Sequence, residues 1–89
     1  MKNEPYEALF VTTTGYYLYV QHTADDPECD FDFTIYDEDF LPEDGGLIGE
    51  NTDWNLDMAA DEIMRGQPIK CGTRAARLDI EDYRDYLEM

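Results

Sequence analysis

Serine is absent from these 89 residues, histidine occurs once and cysteine twice, and only six lysines and arginines face 22 acids. Each shortage argues against a class of function. Without serine, and with His22 beside no nucleophile in a recognised motif, the chain offers no hydroxyl–imidazole pair for acyl transfer. Cys29 and Cys71 stand far apart with neither Cys-x-x-Cys nor His/Cys spacing, so two reduced thiols are expected, without a zinc site or a disulfide framework. Among the few cations only Arg74, Arg77 and Arg84 are grouped, too few to neutralise a row of phosphates. Direct binding to nucleic acid or to anionic lipid is therefore not expected. No apolar run approaches the ~20 residues of a membrane span, and Met1 to Pro5 lead into no signal-peptide core, so a cytoplasmic protein is expected.

What is present is acid, and it is regional. Fifteen of the 22 acids lie between Thr23 and Gly66, where Arg65 is the only cation, whereas the segments before and after each sum to −1 within a total of −16. Such a block costs stability through self-repulsion. Disordered acidic tails escape that cost by being poor in apolar residues, but this block contains Phe31, Phe33, Ile35, Tyr36, Phe40, Leu41, Leu47, Ile48, Trp54, Leu56, Ile63 and Met64. It is predicted to fold, within one domain spanning residues 1–89.

Two β-branched and aromatic runs, Glu7 to Thr13 and Tyr16 to His22, flank Thr14-Gly15 and predict a hairpin. Alternation sets Tyr17 and Tyr19 against Tyr16, Leu18 and Val20 without deciding which set faces inward. Asp25-Asp26-Pro27 reads as a loop. From Asp30 to Asp37 a period of two places Phe31, Phe33 and Ile35 on a core face, and Asp30, Asp32, Thr34 and Tyr36 on an acidic one. Glu38 to Glu43 and Asp44-Gly45-Gly46 read as turns, with a short fourth strand over Gly46 to Gly49. Asn51-Thr52-Asp53 supplies N-cap residues for a helix from Trp54, whose apolar positions Leu56, Ala59, Ala60, Ile63 and Met64 recur at helical spacing until Gly66 and Pro68. Ile69 to Cys71 reads as a possible strand, and Thr73 to Leu78 fits neither pattern. A second helix is expected from Ile80 to Leu87, capped by Asp79, with an Arg84/Glu88 pair. Strands first and helices last predict an α+β fold, an antiparallel sheet of three to four strands with two helices packed on one face.

Four constellations bear on function. Asp53, Asp57 and Asp61 at i, i+4 and i+8 line one side of a helix about 6 Å apart, and Asp30 and Asp32 stand about 6 to 7 Å apart on one strand face. These intervals resemble phosphate spacing; a solvated helix face, with Asp61 paired to Arg65, accounts for the ladder equally simply. Asp37 to Gly46 is acidic but lacks the 1-3-5 carboxylates and position-six glycine of a calcium loop, so no metal or other cofactor is expected. No catalytic residues are expected, since paired carboxylates in so short a chain leave little room for a substrate cleft. The tyrosines and Trp54 suit either half-buried strand positions or an interface to arginine and lysine over apolar ground.

The stretch Phe31 to Phe40 (FDFTIYDEDF), followed by Asp44-Gly45-Gly46 and a helix ending Ala60-Asp61-Glu62-Ile63, resembles small domains associated with large polyvalent proteins of bacterial mobile elements. The likeness covers about a third of the chain and carries no catalytic residue. It implies a setting in conjugative elements or phages, in the cytoplasm of a bacterial host. In charge and size, though in no shared motif, the chain also resembles anti-CRISPR and antirestriction proteins that mimic DNA. The two likenesses together predict a non-enzymatic inhibitor of a bacterial defence nuclease, a CRISPR effector above all. Its basic DNA- or PAM-binding groove would be met by Asp30, Asp32, Asp37, Glu38, Asp39, Glu43, Asp44, Asp53, Asp57 and Asp61, with Tyr36, Phe40 and Trp54 as apolar anchors where exposed. The alternative is a non-catalytic interaction module of a mobile element that binds a basic partner. Oligomeric state is not legible.

Overall fold

The computed structural model describes residues 7–23, 30–49, 54–65, 72 and 74–87. Five strands form one sheet: β1 (Glu7–Thr12), β2 (Tyr17–His22), β3 (Phe31–Tyr36), β4 (Pro42–Ile48) and β5 (Arg74–Leu78). Their spatial order is β4-β3-β2-β1-β5, and every neighbouring pair is antiparallel. Helix α1 (Leu56–Arg65) follows β4, and β5 leads into a 3-10 turn (Ile80–Tyr83) and the short helix α2 (Arg84–Leu87). The α+β class is as expected, with one strand more than three to four. None of the described helices is long and apolar enough to cross a membrane.

The first hairpin forms where the pattern of its residues places it. Gly15 adopts φ 89°, and the loop closes by Thr12 N–H donating to Tyr16 O at 2.8 Å and Gly15 N–H to Thr12 O at 3.1 Å. The Thr12 hydroxyl accepts from Tyr16 N–H at 3.0 Å, so a buried threonine supplies a turn contact that a valine would lack. Register then follows: Phe10 lies opposite Leu18 and Leu18 opposite Ile35, while Ala8 lies opposite Val20 and Val20 opposite Phe33.

This register aligns one row of apolar side chains on one face of the sheet, and α1 packs on it. Ala8, Phe10, Leu18, Val20, Phe31 and Ile35 meet Leu56, Ala59, Ala60, Ile63 and Met64, with Tyr16, Phe33, Ile48 and Trp54 at the margin. The helix buries positions i, i+3, i+4, i+7 and i+8, the stripe that its sequence predicts. Small Ala59 and Ala60 let the helix backbone approach the sheet. Its cap is Asn55, whose side-chain oxygen accepts from Met58 N–H at 2.8 Å. Burying one phenylalanine such as Phe10 is worth about 2–3 kcal/mol, so the core rests on a handful of side chains.

Pleat alternation sends Glu7, Leu9, Val11, Tyr17, Tyr19, Gln21, Asp32, Thr34 and Tyr36 to the opposite face. The C-terminal segment lies over that face, through Tyr83 against Tyr17 and Arg84 against Glu7. The two helical segments therefore take opposite faces instead of sharing one. The reason is the second apolar set, Leu9, Tyr17 and Tyr36, which is as much in need of cover as the first. The face expected to be simply acidic is an aromatic and polar layer.

Two further expectations change. Asp44-Gly45-Gly46 lies within β4 and makes no turn. A Cβ on Gly45 would stand 2.9 Å from Phe33 O, so glycine there admits close approach of the β3 backbone. The turn expected from Glu38 is present and spans Asp37 to Leu41: Phe40 N–H donates to Asp37 O at 3.0 Å, Asp37 N–H to Leu41 O at 2.9 Å, and Phe40 adopts φ 63°. Thr73 to Leu78, which fits neither pattern, contains β5. Its sequence, Arg-Ala-Ala-Arg-Leu, has little strand propensity; pairing with the open edge of β1, Leu78 opposite Leu9 and Ala76 opposite Val11, makes it a strand. The expected loop at Asp25 to Pro27, the caps at Asn51 to Asp53, the strand at Ile69 to Cys71, the thiols of Cys29 and Cys71 and the Arg84/Glu88 pair lie outside the described residues.

Candidate functional site

The acids of the β3–β4 hairpin divide into those that build it and those that face solvent. Asp37 builds: its Oδ1 accepts from Asp39 N–H at 2.8 Å and Leu41 N–H at 2.9 Å, holding the turn. Asp30 ties the start of β3 into place, its N–H donating to Gly49 O at 2.9 Å and its carbonyl accepting from Thr23 N–H at 3.0 Å. Glu38, Asp39, Glu43 and Asp44 are exposed, at the tip and along β4. Asp44 Oδ1 also accepts from Gly45 N–H at 2.8 Å. With them stand two exposed apolar side chains, Leu41 at 55% and Leu47 at 53%.

Asp32 belongs to an internal chain of polar contacts. Arg84 Nη1 donates to Glu7 Oε2 at 2.7 Å, and Glu7 Oε1 accepts from the Tyr19 phenol, which lies 3.0 Å from Gln21 Oε1. Gln21 Nε2 in turn donates to Asp32 Oδ2 at 3.1 Å. The Tyr19 hydrogen bond, aided by Arg84, holds Glu7 below the usual carboxylate range against an opposing effect of burial. Burial first, and the Glu7 carboxylate second, push the Tyr19 phenol up. Arg84 also pairs with Glu81 at 2.6 Å, and the two carboxylates raise its guanidinium. These contacts fasten the C-terminal segment to the sheet.

Phe40 is not an exposed anchor. Only 8% accessible, it stacks on Tyr17 at 4.0 Å and Tyr86 at 4.9 Å between ring centroids, with Tyr83 and Tyr36 at 5.7 and 5.8 Å. Its left-handed backbone turns the ring back beneath the C-terminal tyrosines. Tyr36 is half-buried in this cluster, and burial raises its phenol, partly offset by a hydrogen bond with Thr34. Trp54 is half-buried against the main core. Tyr17, Tyr19 and Tyr36 thus have intramolecular tasks, and among the described residues the exposed large apolar side chains are Leu41, Leu47, Met58 and Tyr86. Leu41 lies in a stretch that reads as a turn, and Leu47 in an expected strand too short to show which face it takes.

The helical ladder is a separate feature. Asp53 lies outside the described residues, Asp61 is exposed, and Asp57 stands 3.4 Å from Arg77 of β5. Arg65 pairs with Glu62 at 2.6 Å, where the i,i+4 spacing suggests Asp61. Asp57 therefore sits toward the β5 edge, whereas Glu43 and Asp44 lie on β4 at the other. At about 4.8 Å per strand step those edges are about 19 Å apart. Asp57 and the hairpin acids therefore do not belong to one phosphate-like row. Compared with protein families, curated proteins and solved structures, the chain matches none.

Proposed function

We propose that this chain is a non-catalytic inhibitor of a bacterial defence nuclease, a CRISPR effector being the class that fits best, and that it acts by setting its acidic hairpin into a basic DNA- or PAM-binding groove. The observation that carries this reading is the segment from Asp30 to Asp53, which contains no lysine or arginine and presents Glu38, Asp39, Glu43 and Asp44 at the surface of a folded hairpin. Rigid placement matters: acids held on a hairpin lose less freedom on docking than acids on a flexible tail. Arg65, Arg77 and Arg84 are each engaged with a carboxylate of their own chain away from this hairpin.

Cleavage of DNA by a panel of purified CRISPR effectors and restriction enzymes, with the protein added before or after DNA, tests the reading. Inhibition only when the protein is added first is expected. Combining Glu38→Gln, Asp39→Asn and Glu43→Gln is expected to weaken inhibition by about tenfold or more, chiefly at low salt. Equal inhibition by the triple variant sinks the electrostatic mechanism, and no inhibition across the panel sinks the function. A second reading, an interaction module of a mobile element that binds a basic partner, draws on the division of the acids into two patches, which suits docking to a protein surface better than imitation of a continuous duplex.

A further inference from the structure

We propose that the free edge of β4, over Gly45 to Leu47, is a docking site that takes an extended segment of a basic partner as a sixth strand. This deepens the proposed function, since it rests on the same acidic hairpin and adds the mode by which a partner is held. Among the described residues β4 has one strand neighbour, β3, and every residue from Pro42 to Leu47 is exposed. An antiparallel ladder turns alternate residues outward with both N–H and C=O, leaving a template for pairing. Gly45 is one such residue: its N–H is directed to the Asp44 carboxylate, so its carbonyl is the group that it offers a partner. Leu47, two positions on, turns its backbone the same way.

The edge is guarded only in its first half. Pro42, the register shift between Ile35 and Tyr36, and the acidic Glu43 and Asp44 are devices that discourage pairing. Beyond them Gly45-Gly46-Leu47-Ile48 has no proline and no charge. Among the described residues helix α1 makes its main contacts with β2, β1 and β5, away from the β4 edge. Leu47 is 53% exposed, and Phe33 and Ile48 are half-buried on the opposite face. An arriving strand therefore meets backbone partners, apolar side chains on both faces, and carboxylates at one end.

Charge selects the occupant. A segment in which arginine or lysine alternates with apolar residues matches both the acids and the apolar rows. A second copy matches less well, because pairing β4 with β4 or with β5 of another copy brings together two molecules that each carry −16.

The probe is a peptide of about eight residues alternating arginine and valine, a typical strand length, titrated into the full chain with amide exchange and spectra followed by NMR. Slower exchange at the Leu47 amide is expected, because strand pairing shields that proton and charge attraction alone does not. Leu47→Pro, which removes an outward N–H without touching the β3 ladder, is expected to weaken binding about tenfold, the cost of one lost hydrogen bond in a paired edge. Leu47→Ala, which keeps the N–H, is expected to weaken it by less than about threefold. Should Leu47→Pro fail to fold, exchange at Leu47 in the natural chain decides alone. Unchanged exchange at Leu47 in a saturated complex overturns the inference and leaves the acidic surface as the binding agent, while failure of the peptide to bind overturns it outright. Protection of Leu47 that grows with protein concentration in the absence of peptide assigns the edge to a second copy and also overturns it. The nuclease assay needs no strand pairing, so it judges the proposed function separately.

Discussion

Two side chains show how sequence identity alone understates a residue's task. Glu7 is an acid at the start of a strand, yet it receives the Tyr19 phenol and the Arg84 guanidinium, which depress its pKa below 4.5. A depressed carboxylate contributes stability above the unfolded value and loses it as pH falls through the folded one. Glu7→Gln is therefore expected to cost about 1 kcal/mol at neutral pH, a charge-assisted bond discounted for partial exposure. The gap between variant and natural chain should close in acid, as urea denaturation at about pH 7 and pH 3 would show; a pH-independent gap would remove the ion pair from the account. Tyr19, whose pKa is raised above 10, contributes in the other direction, with stability lost as pH rises past 10 and the unfolded phenol ionises. Phe40 is the second case. Phe40→Ala is expected to cost about 2–3 kcal/mol, near the lower end for phenylalanine because the tyrosines around it are partly exposed and can close in. The same change should free the C-terminal segment, read as faster amide exchange from Tyr83 to Leu87; retention of that protection would show that Arg84 alone is a sufficient tether.

At the scale of elements, α1 was legible because its stripe, Leu56 to Met64, keeps helical period through ten residues. Its cap was not: Asn51 to Asp53 are good capping types, but the described contact belongs to Asn55. Asn55→Ala is expected to lower stability by about 1 kcal/mol, measured by thermal or urea unfolding, and no change would return the cap to the earlier residues. β3 was legible through its period of two. Only the end of β4, from Gly46, was read as strand; its first half was misread because proline, Asp44 and a glycine pair have turn character, while the close approach of Gly45 to the Phe33 carbonyl is a relation between two strands that no single segment contains. β5 was illegible for the same reason: its partner, β1, lies more than sixty positions away in sequence.

For the whole molecule the decisive quantity is charge held in a compact body. A radius of gyration of 12.4 Å matches the roughly 12 Å of a compact chain of this length, so the acids of the described strands and helices are held in a compact body. Screening should relieve that repulsion more than it weakens the partly exposed ion pairs of Arg65, Arg77 and Arg84. The melting temperature is accordingly expected to rise by a few degrees between about 10 and 500 mM salt, even as binding to a basic partner weakens. A fall would mean that the Arg65, Arg77 and Arg84 pairs outweigh the self-repulsion.

The chain by itself determined what is local or additive: net charge, the hairpin at Thr14-Gly15, the stripe of α1, the alternation of β3 and the Asp79 cap of the last helical segment, whose Oδ1 accepts from Glu81 N–H at 3.1 Å. Tertiary structure decided what depends on two segments at once. It set the α1 and C-terminal segments on opposite faces, because the sheet has two apolar rows to cover. It turned Phe40 and Tyr36 inward, gave Asp32 and Asp37 structural tasks, and left Glu38, Asp39, Glu43 and Asp44 beside an open strand edge. Composition counts carboxylates equally; only packing separates those drawn into the fold from those exposed at its surface.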